Sequence, residues 1–151
     1  MIFIIIWIYK KVRKLSKKDC IFCNIVRGKI PSKKIEENDH AMSFLDINPI
    51  SPGHSVIISK DHYETLEEIP DEELCEVYKM VRSVAKIVRD NLQMDGYNII
   101  QNNHKAAGQE INHFHVHVIP RDYRDKRITL NPPRKETSER ELDEILSKLK
   151  D

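Results

Sequence analysis

HFHVHVIP, at positions 113–120, decides how this chain is read. Histidine and apolar residues alternate along it, which is the period of an extended strand whose neighbouring side chains face opposite sides. Phe114, Val116 and Val118 then share a face suited to a core, and His113, His115 and His117 share the other. Residues two apart on a strand stand roughly 6–7 Å from one another. Imidazoles on an apolar strand are costly to bury without partners, so this face calls for a metal ion, an anionic ligand or solvent. Chance histidines on an exposed strand are the bland alternative, and three at this spacing argue against it. Two chemical readings stay open here. Either all three rings bind one metal, as in three-histidine zinc sites, or the middle ring attacks phosphorus while its neighbours hold phosphate oxygens.

The rest of the chain is ordinary in bulk. It has 151 residues, 25 Lys plus Arg against 24 Asp plus Glu, a net charge of +1, seven histidines and three cysteines. That length suits one domain with a real core. With 32% charged and 40% apolar residues, the composition is that of a soluble globule and excludes a disordered chain. A charge near zero argues against a basic nucleic-acid binder. An odd cysteine count argues against a disulfide scaffold.

Outward from the histidine strand, 97–101 reads as a further strand, and 102–112, with Gly108, as a polar loop. The clearest helix is Asp71–Leu92. Pro70 and the acids Asp71, Glu72 and Glu73 suit its start, and Leu74, Val77, Tyr78, Val81, Val84, Ala85, Val88 and Leu92 recur at three- and four-residue spacings. Asp95-Gly96 is expected to end it in a turn. Positions 33–37 read as an edge strand, Ala41–Leu45 as a second strand, and the β-branched run 54–59 as a buried one. Positions 20–27 read as a short helix before Gly28 and Pro31. Ser138-x-x-Glu141 is a capping box opening a last amphipathic helix with Leu142, Ile145, Leu146 and Leu149. Strands clustered around one long helix predict an α+β fold with a mainly antiparallel sheet.

Residues 1–18 stand apart as an N-terminal extension. The apolar run from Ile2 to Tyr9 is less than half of the roughly 20 residues that cross a bilayer. Its basic residues follow it, the reverse of a signal peptide. The expected reading is a start-site artefact, with translation beginning near Leu15. Loss of Lys10, Lys11, Arg13 and Lys14 would then move the net charge from +1 to −3. A weak interfacial anchor is the alternative.

Cys20-x-x-Cys23 has the spacing with which two thiolates grip one zinc. Taken alone, the pair equally fits a redox couple or two buried cysteines, although no βαβ pattern supports a thioredoxin-like site. Cys75, beside Leu74 on the long helix, reads as core.

CIFCNIVRGKIPS at 20–32, FLDINPISPGHSVIISKDHY at 44–63 and NIIQNNHKAAGQEINHFHVHVIPR at 98–121, in this order and spacing, resemble the histidine triad (HIT) family of nucleotide hydrolases and transferases. The cysteine pair is similar to that of the prokaryotic, zinc-containing branch. The resemblance covers a HIT domain at 19–121 and leaves 122–151 as a C-terminal tail and helix without a recognised counterpart. It implies a HIT-like fold paired as a homodimer through the long helix and a strand. It implies His115 as the nucleophile at the α-phosphorus of a nucleotide, oriented by the His113 carbonyl, with His54 and His117 flanking the phosphate and Asn102 in support. Gly108 and Gln109 would form the phosphate loop, Asp46 would hold the ribose, and Phe44, Leu45 and Ile25 would line the base pocket. A structural zinc, one per chain, would sit on Cys20, Cys23, His62 and His113, so that His113 goes to metal and His115 and His117 to phosphate. Glu110 departs from the serine common among the family's phosphoramidases, which leaves the choice of leaving group open. His40 and His104 stay unassigned, with exposed loops expected.

The implied function is a cytoplasmic hydrolase releasing a nucleoside monophosphate from phosphoramidates or other nucleotidyl conjugates, adenylated lysine among them, through a nucleotidyl-histidine. Its partner is a purine nucleotide or nucleotidyl conjugate, with neither nucleic acid nor membrane expected. A dinucleoside polyphosphate hydrolase or nucleotidylyl transferase is the enzymatic alternative. A nucleotide-binding regulatory module is the non-enzymatic one.

Overall fold

The structure, a computed structural model, describes residues 18–125 and 134–150. The apolar run, the expected start at Leu15 and the Pro132-Pro133 pair of the tail lie outside them. Five strands, β1 (Lys34–Glu37), β2 (Ala41–Leu45), β3 (Ser55–Ser59), β4 (Gly96–Ile100) and β5 (His115–Arg121), form one sheet in the order β1-β2-β3-β5-β4. Every pairing is antiparallel. Helix α1 (Ile21–Val26) precedes the sheet, α2 (Asp71–Leu92) crosses between β3 and β4, and α3 (Glu139–Lys150) closes the described chain. Together these are the expected α+β elements.

Strand alternation sorts the side chains into two layers. Phe114, immediately before β5, with Val116 and Val118 on it, joins Ala41 and Ile57 beneath Val77, Val81, Val84, Ala85 and Val88 of α2 in the larger core. The opposite face carries Met42, Phe44, Val56 and Ile58, covered by Phe22 of α1. His115 and His117 emerge on that second face, so the strand that bears the chemistry is also a central plank of the core.

Several expectations need correction. The histidine strand starts at His115, not His113. Just before it the backbone turns, with His113 N donating to Ile111 O at 2.8 Å and Phe114 N to Tyr63 O at 2.6 Å, which draws His113 out of the sheet toward the 59–63 segment. Helix α2 ends at Gln93, a left-handed residue with φ 54°, and Gly96 opens β4 rather than a turn. Cys75 is exposed. It lies two residues from both Glu73 and Val77, about 200° around the helix from that buried stripe. Glu73, read only as a favourable charge at the helix start, is buried and meets His40 Nδ1 at 2.9 Å, so His40 is not a free loop histidine. His104 is exposed, its side chain 67% accessible.

Gly53 is a position where glycine is required. Its φ is +83°, and an added Cβ would stand 2.4 Å from Leu92 Cδ1. This turn sets the close approach of the loop before β3 to the end of α2. Helix α3 keeps the expected capping box, Ser138 N donating to Glu141 Oε2 at 3.0 Å and Glu141 N to Ser138 Oγ at 3.3 Å, and none of its residues is buried.

Phe114 is fully buried at the centre of the larger core. Phe114→Ala should cost about 3–5 kcal/mol in urea unfolding of the purified chain, because the cavity lies between sheet and helix where neither can collapse into it.

Candidate active site

Two histidine clusters meet at the start of β5. In the first, Cys20 Sγ lies 3.4 Å from His113 Nδ1, Cys23 Sγ 3.3 Å from His62 Nδ1 and 3.6 Å from His113 Nδ1, and the two Nδ1 atoms 3.2 Å apart. All four donor atoms fall within 4.8 Å of one another. A tetrahedral zinc with bonds of about 2.0–2.1 Å to nitrogen and about 2.3 Å to sulfur has ligand–ligand edges of about 3.3–3.8 Å, close to these separations. Protonation agrees with that use. His113 Nε2–H donates to the Ser59 carbonyl at 2.8 Å, leaving the Nδ1 lone pair aimed at the thiols, as outer partners orient a metal-ligating imidazole. Burial lowers the His113 pKa to about 4, which keeps the lone pair available.

The second cluster is a directed chain of hydrogen bonds. Ile50 N–H donates to His54 Nδ1 at 3.1 Å, so neutral His54 carries its proton on Nε2. That Nε2 is 2.9 Å from His117 Nδ1, which accepts, so His117 holds its proton on Nε2. Beside it, His115 Nδ1–H donates to the His113 carbonyl at 2.6 Å and keeps a lone pair on Nε2. The rings of His115 and His117 have centroids 5.1 Å apart, closer than ideal strand geometry predicts. The face therefore pairs a nucleophilic nitrogen with an N–H donor.

Asp46, after β2, has Oδ2 3.7 Å from His54 Nε2 and 4.0 Å from His117 Nδ1. These three residues also bring donor atoms together as a metal site would. The hydrogen bond that His54 Nε2–H donates to His117 Nδ1 makes them a hydrogen-bonded pair instead.

Burial is the leading influence on these rings. It lowers the His117 pKa to about 4, helped by His115 and His54 and opposed by Asp46. It lowers His54 against the pull of Asp46. It lowers His115 against the hydrogen bond to His113 O and the charges of Asp46 and Glu110.

His115 and His117 open into a cavity of about 530 Å³, within the range of small-molecule sites. Ile25, Phe44, Leu45, Asp46, Asn102, Gly108 and Glu110 all line it. Two expected residues do not. The buried Gln109 side chain donates to Glu64 O at 2.6 Å and Ile111 O at 3.2 Å and accepts from His104 N at 2.7 Å, so it braces the loop from behind. His54 stands behind His117, its Nε2 2.9 Å from His117 Nδ1. Asn102 also ties the loop, Nδ2 to Gly108 O at 3.4 Å. Sequence reasoning missed Phe22, whose ring is 5.2 Å from that of His115 and edge-on to it, and the apolar lining residues Ile21, Ile30 and Ile111. The position of Phe22 between the two cysteines was the available signal, since closing that pair against His113 carries it over the histidine strand.

The HIT domain family profile matches residues 27–124. The chain belongs to the HIT family. An uncharacterised HIT-like protein of Methanocaldococcus jannaschii is 44% identical over 131 residues, covering 87% of this chain and 98% of that one. The adenosine 5'-monophosphoramidase HNT1 of Saccharomyces cerevisiae is 39% identical, covering 86% and 82%. The adenylylsulfatase HINT3 of Arabidopsis thaliana is 43% identical, covering 72% and 55%. Among solved structures, a HIT family protein from Bacillus subtilis superposes with a TM-score of 0.82 at 33% identity, covering 88% of this chain and 96% of that one. A zinc-bound histidine triad family protein from Mycobacterium smegmatis does so with a TM-score of 0.70 at 36% identity, covering 87% and 96%. Among the described residues no helix is long and apolar enough to cross a membrane.

In the free protein His117 should stay neutral at pH 5.5, read from imidazole nitrogen shifts by NMR. The unfolded chain takes up protons near pH 6.5 that folded His117 refuses until about pH 4. Stability to urea should therefore fall as pH drops through that window.

Proposed function

We propose that this chain is a nucleotide hydrolase that cleaves nucleoside phosphoramidates and related nucleotidyl conjugates at the α-phosphorus. The observation that carries the reading is the His115 ring, locked by the His113 carbonyl with its Nε2 lone pair toward the cavity and the His117 Nε2–H alongside. His115 Nε2 attacks phosphorus, the His117 Nε2–H donates a hydrogen bond to a phosphate oxygen, and the P–N bond breaks as the leaving amine takes a proton from water. Water then cleaves the nucleotidyl-histidine and restores the ring. A neutral nucleophile beside a fixed donor is electrostatic preorganisation for an anionic substrate. Phe44, Leu45 and Ile25 supply an apolar bed for the base, and Asp46 accepts from the ribose hydroxyls. The relatives named as a phosphoramidase and an adenylylsulfatase support a nucleotide substrate and leave the bond type open.

Cys20, Cys23, His62 and His113 would hold a structural zinc, supported by their tetrahedral spacing and by the zinc-bound relative. With four protein ligands the ion has no open position, so its contribution is to tie α1 to the start of β5. Two copies would pair into a homodimer through α2 and the outer edge of β4, where Tyr97 and Ile99 are 42% and 44% exposed.

Adenosine phosphoramidate should yield AMP, and His115→Ala should lower the rate by about a thousandfold or more, followed by chromatography. Absence of AMP with the unaltered chain would reject the reading. Metal analysis should find about one zinc per chain. Cys23→Ser should lose it and melt about 6–12 °C lower, the shift that about 3 kcal/mol gives a domain of this size. A zinc content near zero would reject the metal site.

A further inference from the structure

The charges around the cavity are one-sided. Asp46 and Glu110 line it, and no described lining residue is a lysine or arginine. The histidines are held neutral by burial. The two carboxylates stand at different places. Asp46 follows β2, next to Phe44 and Leu45, with Oδ1 accepting from Asn48 N at 2.8 Å and Oδ2 toward His54 and His117. Glu110 stands on the 102–112 loop with Asn102 and Gly108, exposed, with no hydrogen bond or ion pair to another described residue. The polar groups flanking it on that loop are occupied, since Gln109 is tied down on three sides. Glu110 is thus the one carboxylate of the cavity whose oxygens no described partner engages.

We infer that Glu110 is a specificity-determining residue that selects the charge of the leaving group, favouring amines that bear a second, cationic ammonium and disfavouring leaving groups that carry a carboxylate, sulfate or phosphate. The inference rests on the hydrolase reading above and narrows its substrate class. The nucleotide half of the substrate is accounted for by the apolar bed, Asp46 and the histidine pair. What remains of the wall comes from α1, the 30–32 segment, Ile47, Asn48, Val56 and the 102–111 loop, and among these described residues Glu110 is the one charged side chain. A cation there gains a carboxylate that is free to meet it, and an anion meets like charge with no basic side chain of the lining to offset it.

Three adenosine 5'-phosphoramidates of similar size test this, differing only in the far end of a three-carbon amine: ammonium, methyl or carboxylate. Adenylyl sulfate serves as an anionic leaving group of another bond type. Each is assayed by AMP release from the unaltered chain and from Glu110→Gln and Glu110→Lys. The expected kcat/KM order for the unaltered chain is ammonium, methyl, carboxylate. The ammonium-to-carboxylate ratio should fall about fivefold in Glu110→Gln, the size of one solvent-accessible ion pair, and fall further in Glu110→Lys, with a relative gain for adenylyl sulfate. Raising salt should shrink the ratio in the unaltered chain and leave it nearly constant in Glu110→Gln. Comparing ratios between variants cancels the intrinsic reactivity of each amine. Turnover of the panel with the same ratio in all three proteins would overturn the role of Glu110 and leave the hydrolase reading standing. No AMP from any substrate would overturn the hydrolase reading and this inference with it.

Discussion

The constraint on which the molecule depends is that β5 packs under a helix on one face and carries the imidazoles of His115 and His117 on the other. A central antiparallel strand packed under a helix on one side ordinarily tolerates apolar residues or solvent on the other. Here Phe114, Val116 and Val118 satisfy the helix side completely. Each histidine here has one ring nitrogen answered by something fixed, because a wholly unanswered buried ring would cost more than its packing returns. The answers come from distant parts of the chain: the Ser59 carbonyl for His113, the 50–54 segment for His117 through His54, and the backbone of His113 for His115. Folding and site assembly are the same event for this strand.

His113 is the hinge between the two clusters. Its ring faces the cysteines and His62, and its carbonyl holds His115. Anything that shifts the Cys/His cluster moves the acceptor that orients the adjacent ring. Phe22, edge-on to both His113 and His115, adds a packing link between the same two rings.

Much of this was legible in the sequence because it follows from period. The long helix was readable at both ends from its acids, its apolar recurrence and Leu92. The strands were readable from β-branched runs and alternation. The resemblance named half of the cavity's lining residues. The failures have a common physical cause, which is that period fixes direction only within an element. Alternation put His113 on the same face as His115 and His117, yet the backbone turns at Ile111–Phe114 because Tyr63 and Ser59 offer it partners. Adjacency to Leu74 placed Cys75 in the core, although it belongs to the opposite side of the helix. Gln109 and His54 were placed by position in a motif, and their side chains lie outside the cavity lining, hydrogen-bonded to Glu64 O and to His117. His40 found a buried partner 33 residues away, a contact no local pattern announces.

The hydrogen bond that selects the His115 tautomer ends on a main-chain oxygen. No side-chain replacement deletes that acceptor, so alanine scanning never removes the group that makes the nucleophile competent, and a substitution at position 113 acts on it only by displacing the backbone. Exposing this determinant takes backbone chemistry, such as replacing the amide that follows His113 with an ester to weaken its carbonyl as an acceptor. Inheritance follows the same logic: the tautomer is specified by the path of the chain, and it persists through changes of residue for as long as that path does.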